Sequence, residues 1–274
     1  MQPLLKRMTN YLDRFNLALN STICKYFQEK NDLNEACKYA LSTGGKRIRP
    51  LLCYFSNEIF NIDLAIVDKL AVCIEFIHTY SLVHDDLPCM DNDDFRRGKL
   101  SVHKKFGETV GLLCGDSLLN TAFEIALECI KKYPETVDSF MRIFKYAGIR
   151  YMIGGQYKEY ENLDKTLEKD DFLDIYNKKT GGLITAAIMA PALDKDADDL
   201  MKFAYCFGLC FQLSDDILDI EKNGEKSYAT TYGFDKTKEL LDMVYNNGLE
   251  CLDRIKGNTN SLRELFVSVK DRNK

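Results

Sequence analysis

Apolar side chains recur at three- and four-residue steps along nearly the whole chain, the period of helices with one buried face. This spacing predicts helices over 4–30, 32–42, 47–60, 109–131, 136–158, 168–178 and 234–255. Two stretches differ: AIVDKLAVCIEFIHTYSLV (65–83) and LMKFAYCFGLCFQLSDDILD (200–219) are apolar on almost every side. Such helices belong in the middle of a bundle. No stretch alternates with period two between turn residues, so no sheet is predicted. The breaks are short: STGGK (42–46), the Asp-rich stretch containing Pro88, glycine pairs at 154–155 and 181–182, and KNGEKS (222–227). The pattern gives an all-α fold, a single-domain bundle of about ten helices over 1–274, with the last twenty residues weakly packed.

Composition narrows the class. The chain has 274 residues, 46% hydrophobic and 29% charged, which suits a packed core and not disorder. With 37 basic and 42 acidic side chains the net charge is −5, which offers no footprint for nucleic acid. The N-terminus lacks the apolar run of a signal peptide, and GGLITAAIMAPAL (181–193) is too short to span a bilayer. Ten cysteines lie scattered without a CxxC pair, and three histidines show no zinc spacing. The expectation is a cytoplasmic protein with reduced, mostly buried thiols and no stable membrane insertion.

The candidate chemistry lies in two aspartate clusters. DDLPCMDNDDFRRG (85–98) has five aspartates in ten residues, and DDILD (215–219) is the second cluster. A charge run is ordinarily a solvated face. Here each cluster follows a strongly apolar helical run, which places carboxylates at the ends of core helices. Asp215 and Asp219 are spaced i, i+4, with Cβ atoms about 5–6 Å apart. At an effective dielectric near 20, two such charges repel by about 3 kcal/mol, so a cation is needed between them. Asp85 and Asp91 are six apart, and Pro88 disfavours helix at Leu87, so Asp91 is expected to return from a loop. Oxygen-only donors select a hard cation, Mg²⁺ or Mn²⁺, whose shell is completed by water and substrate phosphates.

Basic residues lie near in sequence. GGKRIRP (44–50) sets Lys46, Arg47 and Arg49 beside glycines, and Arg96 and Arg97 follow the first cluster. Arginine forks match phosphate oxygens, although a helix-joining turn or neutralisation of the aspartates would explain each alone. Lys179 and Thr180 sit at a helix break, which alone reads as a capped end. His78 lies two turns before Asp85, where a lone histidine is ordinarily a satisfied core residue. No nucleophile–base pair and no glycine-rich nucleotide loop is present. Diphosphate-and-metal equipment in an apolar bundle fits a substrate with a hydrocarbon tail and a charged head.

The strings HTYSLVHDDLPCMDNDDFRRGK, GGKRIRP, NKKTGGLI and FQLSDDILD together resemble the trans-isoprenyl diphosphate synthases (polyprenyl synthetases), closest to bacterial-type farnesyl and geranylgeranyl diphosphate synthases. The resemblance spans roughly residues 40–220. It implies the isoprenoid synthase fold around a deep central cavity, a homodimer, and head-to-tail condensation of an allylic diphosphate with isopentenyl diphosphate. It implies that Asp85, Asp86, Asp91, Asp215 and Asp219 hold three Mg²⁺ per active site, with Mn²⁺ a substitute. Arg96, Lys179, Thr180 and Gln212 match positions that bind or steady the allylic substrate. Gly45, Lys46, Arg49, His78 and Arg97 match the isopentenyl diphosphate site. Tyr80 and Ser81 precede the first motif, where side chain bulk sets product length; the tyrosine implies C15 farnesyl diphosphate, with C20 geranylgeranyl diphosphate as the alternative. Family members carry a longer loop after DDILD, with a GK pair and a further lysine. In DIEKNGEKSYATTYG that loop is shorter, Lys226 matches the later lysine, and Lys222 stands in for the earlier one. A non-catalytic partner subunit and a terpene cyclase are the competing readings. Both fit less well, because subunits lose aspartates and cyclases replace DDILD with an Asn/Ser/Glu motif.

Overall fold

The structure, a computed structural model, describes residues 2–193, 197–220 and 226–272. Contacts group the chain into two compact units, one of Leu5–Leu51 with Asp63–Thr136, the other of Leu52–Ile62 with Val137–Lys274 and the first four residues.

In the first unit the helices are α1 (Gln2–Tyr26), α2 (Asp32–Ser42), the start of α3 (Ile48–Phe60), α4 (Leu64–Asp85), α5 (Val102–Phe106) and α6 (Glu108–Lys132). Helix α4 carries the run that is apolar on all sides, and Ile66 through Ile77 bury most of its length against α6 and α2. Asp63 caps its N-terminus by accepting the Ala65 N–H at 2.8 Å, and Asn31 caps α2 through Asn34 N–H at 2.9 Å. Helix α6 is long and apolar enough to cross a bilayer, yet one face, from Gly111 through Leu118 to Cys129, is buried against its neighbours. One departure from the expected helical pattern lies here. Phe95–Arg96 (β1) and Lys99–Leu100 (β2) form an antiparallel hairpin, with Phe95 opposite Leu100. Arg97 and Gly98 both take positive φ, 54° and 73°, the geometry that closes a two-residue hairpin. Four residues of strand are too few to show alternation.

The second unit holds the rest of α3, then α7 (Val137–Ala147), α8 (Met152–Glu161), α9 (Lys169–Lys179), α10 (Gly181–Met189), α11 (Asp198–Leu218), α12 (Tyr228–Tyr232), α13 (Phe234–Arg254) and α14 (Asn260–Lys270). Helix α11 is its centre and packs against α9, α10, α12, α13 and α14. The helix expected over 136–158 breaks at Gly148–Tyr151, which is one reason the segments outnumber ten. The glycine pairs act differently from the turns expected of them. Gly155 lies inside α8, and a Cβ there would sit 2.4 Å from the backbone N of Lys179. Gly208 on α11 likewise meets the Cα of Gly181 at the start of α10, 2.8 Å from where a Cβ would be. The tail also departs from expectation: Leu262, Leu265, Phe266 and Val269 bury one stripe of α14, and Phe266 stacks on Phe207 and lies edge-on to Phe203. Their spacing of three, one and three is a helix face, and it ties the tail to α11. Seven of the ten cysteines are buried.

The clearest internal charge pair is Arg47 with Glu75 in the first unit. Their side chains are only 8% and 2% exposed, and the Arg47 Nη2 also donates to the Leu41 carbonyl at 2.6 Å. Arg47 is therefore not a solvated charge of the glycine-rich turn. Glu75→Gln leaves a buried guanidinium without its counter-ion and should cost about 3–5 kcal/mol in urea unfolding. The double variant Arg47→Met/Glu75→Met should recover most of that loss.

Candidate active site

The first aspartate region is built by the end of α4. The Asp86 N–H still reaches the Leu82 carbonyl at 3.1 Å, after which the chain turns through Leu87 N–H to His84 O at 3.1 Å. The Asp91 N–H then donates to the Asp85 carbonyl at 2.9 Å, so the loop does return Asp91 to Asp85. Asp86 takes a different place. It is 3% exposed and accepts from Arg96 Nε at 2.8 Å and from Arg96 Nη2, which also reaches Asp93 at 3.0 Å. Burial holds the Asp86 carboxyl above the usual range, although Arg96 pulls it back down. The hairpin is the element that delivers Arg96 to this carboxylate.

In the same unit, Gly44 and Gly45 take φ of 86° and 118°, and Arg97 Nη1 donates to the Gly44 carbonyl. A Cβ on Gly45 would lie 2.5 Å from the Arg97 guanidinium carbon, a flexible end that can shift, and it is the φ of 118° that favours glycine there. Arg49 Nη1 lies 3.2 Å from His78 Nε2. Burial first, then the positive charges of Arg49, Arg97, Arg47 and Arg96, drive the His78 pKa well below its ordinary value. Both causes disfavour the charged imidazolium. Lys46 is exposed. Tyr80 is buried, edge-on to His84 at 5.8 Å, and burial pushes its hydroxyl to about 12. That hydroxyl has no hydrogen-bond partner among the described residues. Ser81 Oγ donates to the His78 carbonyl at 3.0 Å.

The second aspartate region closes α11 in the other unit. Asp219 N–H donates to the Asp215 carbonyl at 2.9 Å, so the two share the last turn. Arg272 meets Asp215 at 3.0 Å, donates to the Phe211 carbonyl at 2.8 Å, and lies over the Phe211 ring at 4.3 Å. Asp216 is buried, and a chain of hydrogen bonds runs through it. Tyr176 Oη donates to Asp216 Oδ2 at 2.6 Å, and Gln212 Nε2 donates to Asp216 Oδ1 at 3.1 Å. Thr180 Oγ1 donates to Gln212 Oε1 at 2.9 Å, and the Tyr228 N–H donates to Tyr176 Oη at 2.8 Å. Burial raises Asp216 to about 6 and the Tyr176 hydroxyl well above its ordinary value. Lys179 pairs with Glu159 on α8. Lys226 donates to the carbonyls of Lys165 and, at 3.2 Å, Asn162. Lys222 lies outside the described residues.

Sequence reasoning thus reached Thr180 and Gln212 and missed Tyr176, Asp216 and Arg272. Asp216 was in view inside DDILD, but nothing in the string says which carboxylate turns inward. The donor set is all carboxylate oxygen, as a hard cation requires. Among the described residues no three His, Cys, Asp or Glu side chains are gathered as a metal cluster.

The polyprenyl synthetase family matches residues 30–261. The chain belongs to that family. It is 33% identical to the farnesyl diphosphate synthase of Micrococcus luteus, covering 98% of this chain and 99% of that one. It is 35% identical to the chloroplastic geranylgeranyl pyrophosphate synthase 7 of Arabidopsis thaliana, over 86% and 74% of the two chains. A geranyltransferase structure from Legionella pneumophila superposes with a TM-score of 0.92 at 30% identity, covering 99% and 98%. The all-helical architecture of this polyprenyl synthetase is accordingly the isoprenoid synthase fold, and the chain is placed among the trans-prenyl diphosphate synthases.

The depressed His78 gives a pH dependence with a definite sign. Unfolded, the imidazole takes a proton near its ordinary value of 6.5; folded, it stays neutral to lower pH. Its contribution to stability is complete above about 6.5 and is lost as the pH falls below that value. Urea midpoints at pH 7.5 and 5.5 should fall less in His78→Gln than in the wild type.

Proposed function

We propose that this polyprenyl synthetase is a Mg²⁺-dependent trans-prenyltransferase. It joins dimethylallyl or geranyl diphosphate head-to-tail to isopentenyl diphosphate and releases mainly C15 farnesyl diphosphate. The observation that carries the reading is the neutral His78 beside Arg49, with Arg47, Arg96 and Arg97 around it, on the helix that ends in Asp85. Four arginines gathered around one imidazole suit a diphosphate.

In this reading Asp85 and Asp91, and Asp215 and Asp219, are the Mg²⁺ ligands, while Asp86 serves by holding Arg96. Three ions are expected from the family pattern, with Mn²⁺ a substitute; bound Mg²⁺ would neutralise the charge that grows on the departing diphosphate. Arg96, Lys179, Thr180 and Gln212 bind the allylic diphosphate, with Lys226 holding the segment after the second motif. Lys179 has to leave Glu159 to do so. Gly45, Lys46, Arg49, His78 and Arg97 bind isopentenyl diphosphate. The allylic C–O bond breaks with its electron pair leaving on the diphosphate. The double bond of isopentenyl diphosphate supplies the pair for the new C–C bond, and its C2 proton goes to the released diphosphate. Apolar walls keep water from the cation. Tyr80 and Ser81 set the length of the product.

The chain acts as one polyprenyl synthase domain over 1–274, in the cytoplasm, as a homodimer. Leu112, Leu113, Phe123 and Leu127 on α6 are large apolar side chains left exposed, a surface suited to a second copy.

Purified protein with Mg²⁺, labelled isopentenyl diphosphate and separate dimethylallyl, geranyl and farnesyl primers tests this directly. Extension should stop at C15; C20 product would keep the chemistry and move the product to geranylgeranyl diphosphate. No extension from folded protein would favour a subunit that needs a catalytic partner. Asp85→Ala or Asp215→Ala should lower turnover by about 10²-fold or more with circular dichroism unchanged. Tyr80→Ala should lengthen the product, read by chromatography.

A further inference from the structure

Tyr176 belongs to none of the motifs, yet its hydroxyl sits at the junction of three elements of the second unit. It lies on α9, donates to Asp216 on α11 at 2.6 Å, and accepts the Tyr228 N–H at the start of α12 at 2.8 Å. The direction of every bond in this chain is fixed by chemistry. A carboxylate only accepts, so the tyrosine proton goes to Asp216 and the tyrosine oxygen receives the backbone N–H. For the same reason Gln212 must turn its NH₂ group toward Asp216, which leaves its carbonyl for the Thr180 hydroxyl at 2.9 Å. The second Gln212 N–H has no partner among the described residues. It is a donor left over for an anionic oxygen, whereas the opposite flip would present a carbonyl there and repel one.

The ring is packed as firmly as the hydroxyl is bonded. Phe172 lies 6.0 Å from both the Tyr176 and Tyr228 rings, and Tyr232 lies 4.6 Å from Tyr228. Ser227 caps α12 by accepting the Thr230 N–H at 3.2 Å, leaving Tyr228 as the first helical residue. A first-turn N–H has no partner within its own helix, so the Tyr176 oxygen is what satisfies this one.

We propose that Tyr176 is a positioning residue. Its hydroxyl anchors the start of α12 onto Asp216, and through Asp216 it holds Gln212 and Thr180 in the orientation that receives the allylic diphosphate. The inference rests on the assignment of Gln212 and Thr180 to that substrate. Lys226 adds a second anchor to the same segment, on the loop between α8 and α9.

The test is Tyr176→Phe, which keeps the ring and deletes both bonds, assayed in the full chain with Mg²⁺. Geranyl and isopentenyl diphosphates are varied separately, and amide hydrogen exchange is followed residue by residue. The expected result is a rise of about tenfold in KM for geranyl diphosphate, with KM for isopentenyl diphosphate within twofold of wild type. The Tyr228 amide should lose protection while amides in the middle of α11 keep theirs. Asp216→Asn, which allows the Gln212 amide to flip, should give the same KM pattern. Unchanged protection at Tyr228 would overturn the anchor. Equal rises in both KM values, or a loss that follows only a lower Tm, would overturn the positioning role. Wild-type protein that does not extend geranyl diphosphate would overturn the assignment of Gln212 and Thr180, with the Tyr228 exchange still deciding the anchor.

Discussion

Carboxylates buried on core helices must find partners, and much of the structure around the candidate site follows from that constraint. An ionised carboxylate taken out of water without a hydrogen bond or counter-ion is too costly to keep. Each buried one here is answered in a specific way: Glu75 by Arg47, Asp86 by Arg96, and Asp216 by Tyr176 and Gln212. The elements that supply those answers are otherwise hard to explain. The small hairpin exists to bring Arg96 to Asp86, and α12 begins where its first N–H can rest on Tyr176.

The same constraint divides each aspartate pair into two roles. In both DDLP and DDIL the second aspartate is buried and bonded inward, at 3% and 5% exposure. The first is half-exposed at the end of its helix. The inward member holds a neighbouring side chain, Arg96 in one unit and Gln212 in the other. At Asp215 the outward member meets Arg272. Two adjacent residues on a helix face directions about 100° apart, so adjacent carboxylates cannot both line one face.

Close backbone approach is the second organising feature. Gly155 against Lys179 and Gly208 against Gly181 let α8, α9, α10 and α11 come nearer than side chains would allow. Lys179 and Thr180 sit at that crossing, so their positions are set by the neighbouring helices as much as by their own. Gly45 in the first unit differs, meeting the flexible Arg97 guanidinium and owing its place to a φ of 118°.

Periodicity by itself determined the all-helical class, the two central helices and the return of Asp91, because these depend on local spacing and on Pro88. The four motifs in order identified the family for the same reason: they are contiguous strings. Tertiary structure alone decided the rest. The break at Gly148, the docking of α14 and the hairpin at 95–100 depend on which surfaces lie opposite, and a pattern along one segment does not contain that. Whether a charged residue is solvated, paired or aimed at a substrate is also a property of its neighbours in space. Arg47, Asp86, Tyr176 and Arg272 have partners 28, 10, 40 and 57 residues away in sequence, and a burial cost that is met at such separations cannot be read from the residue that incurs it.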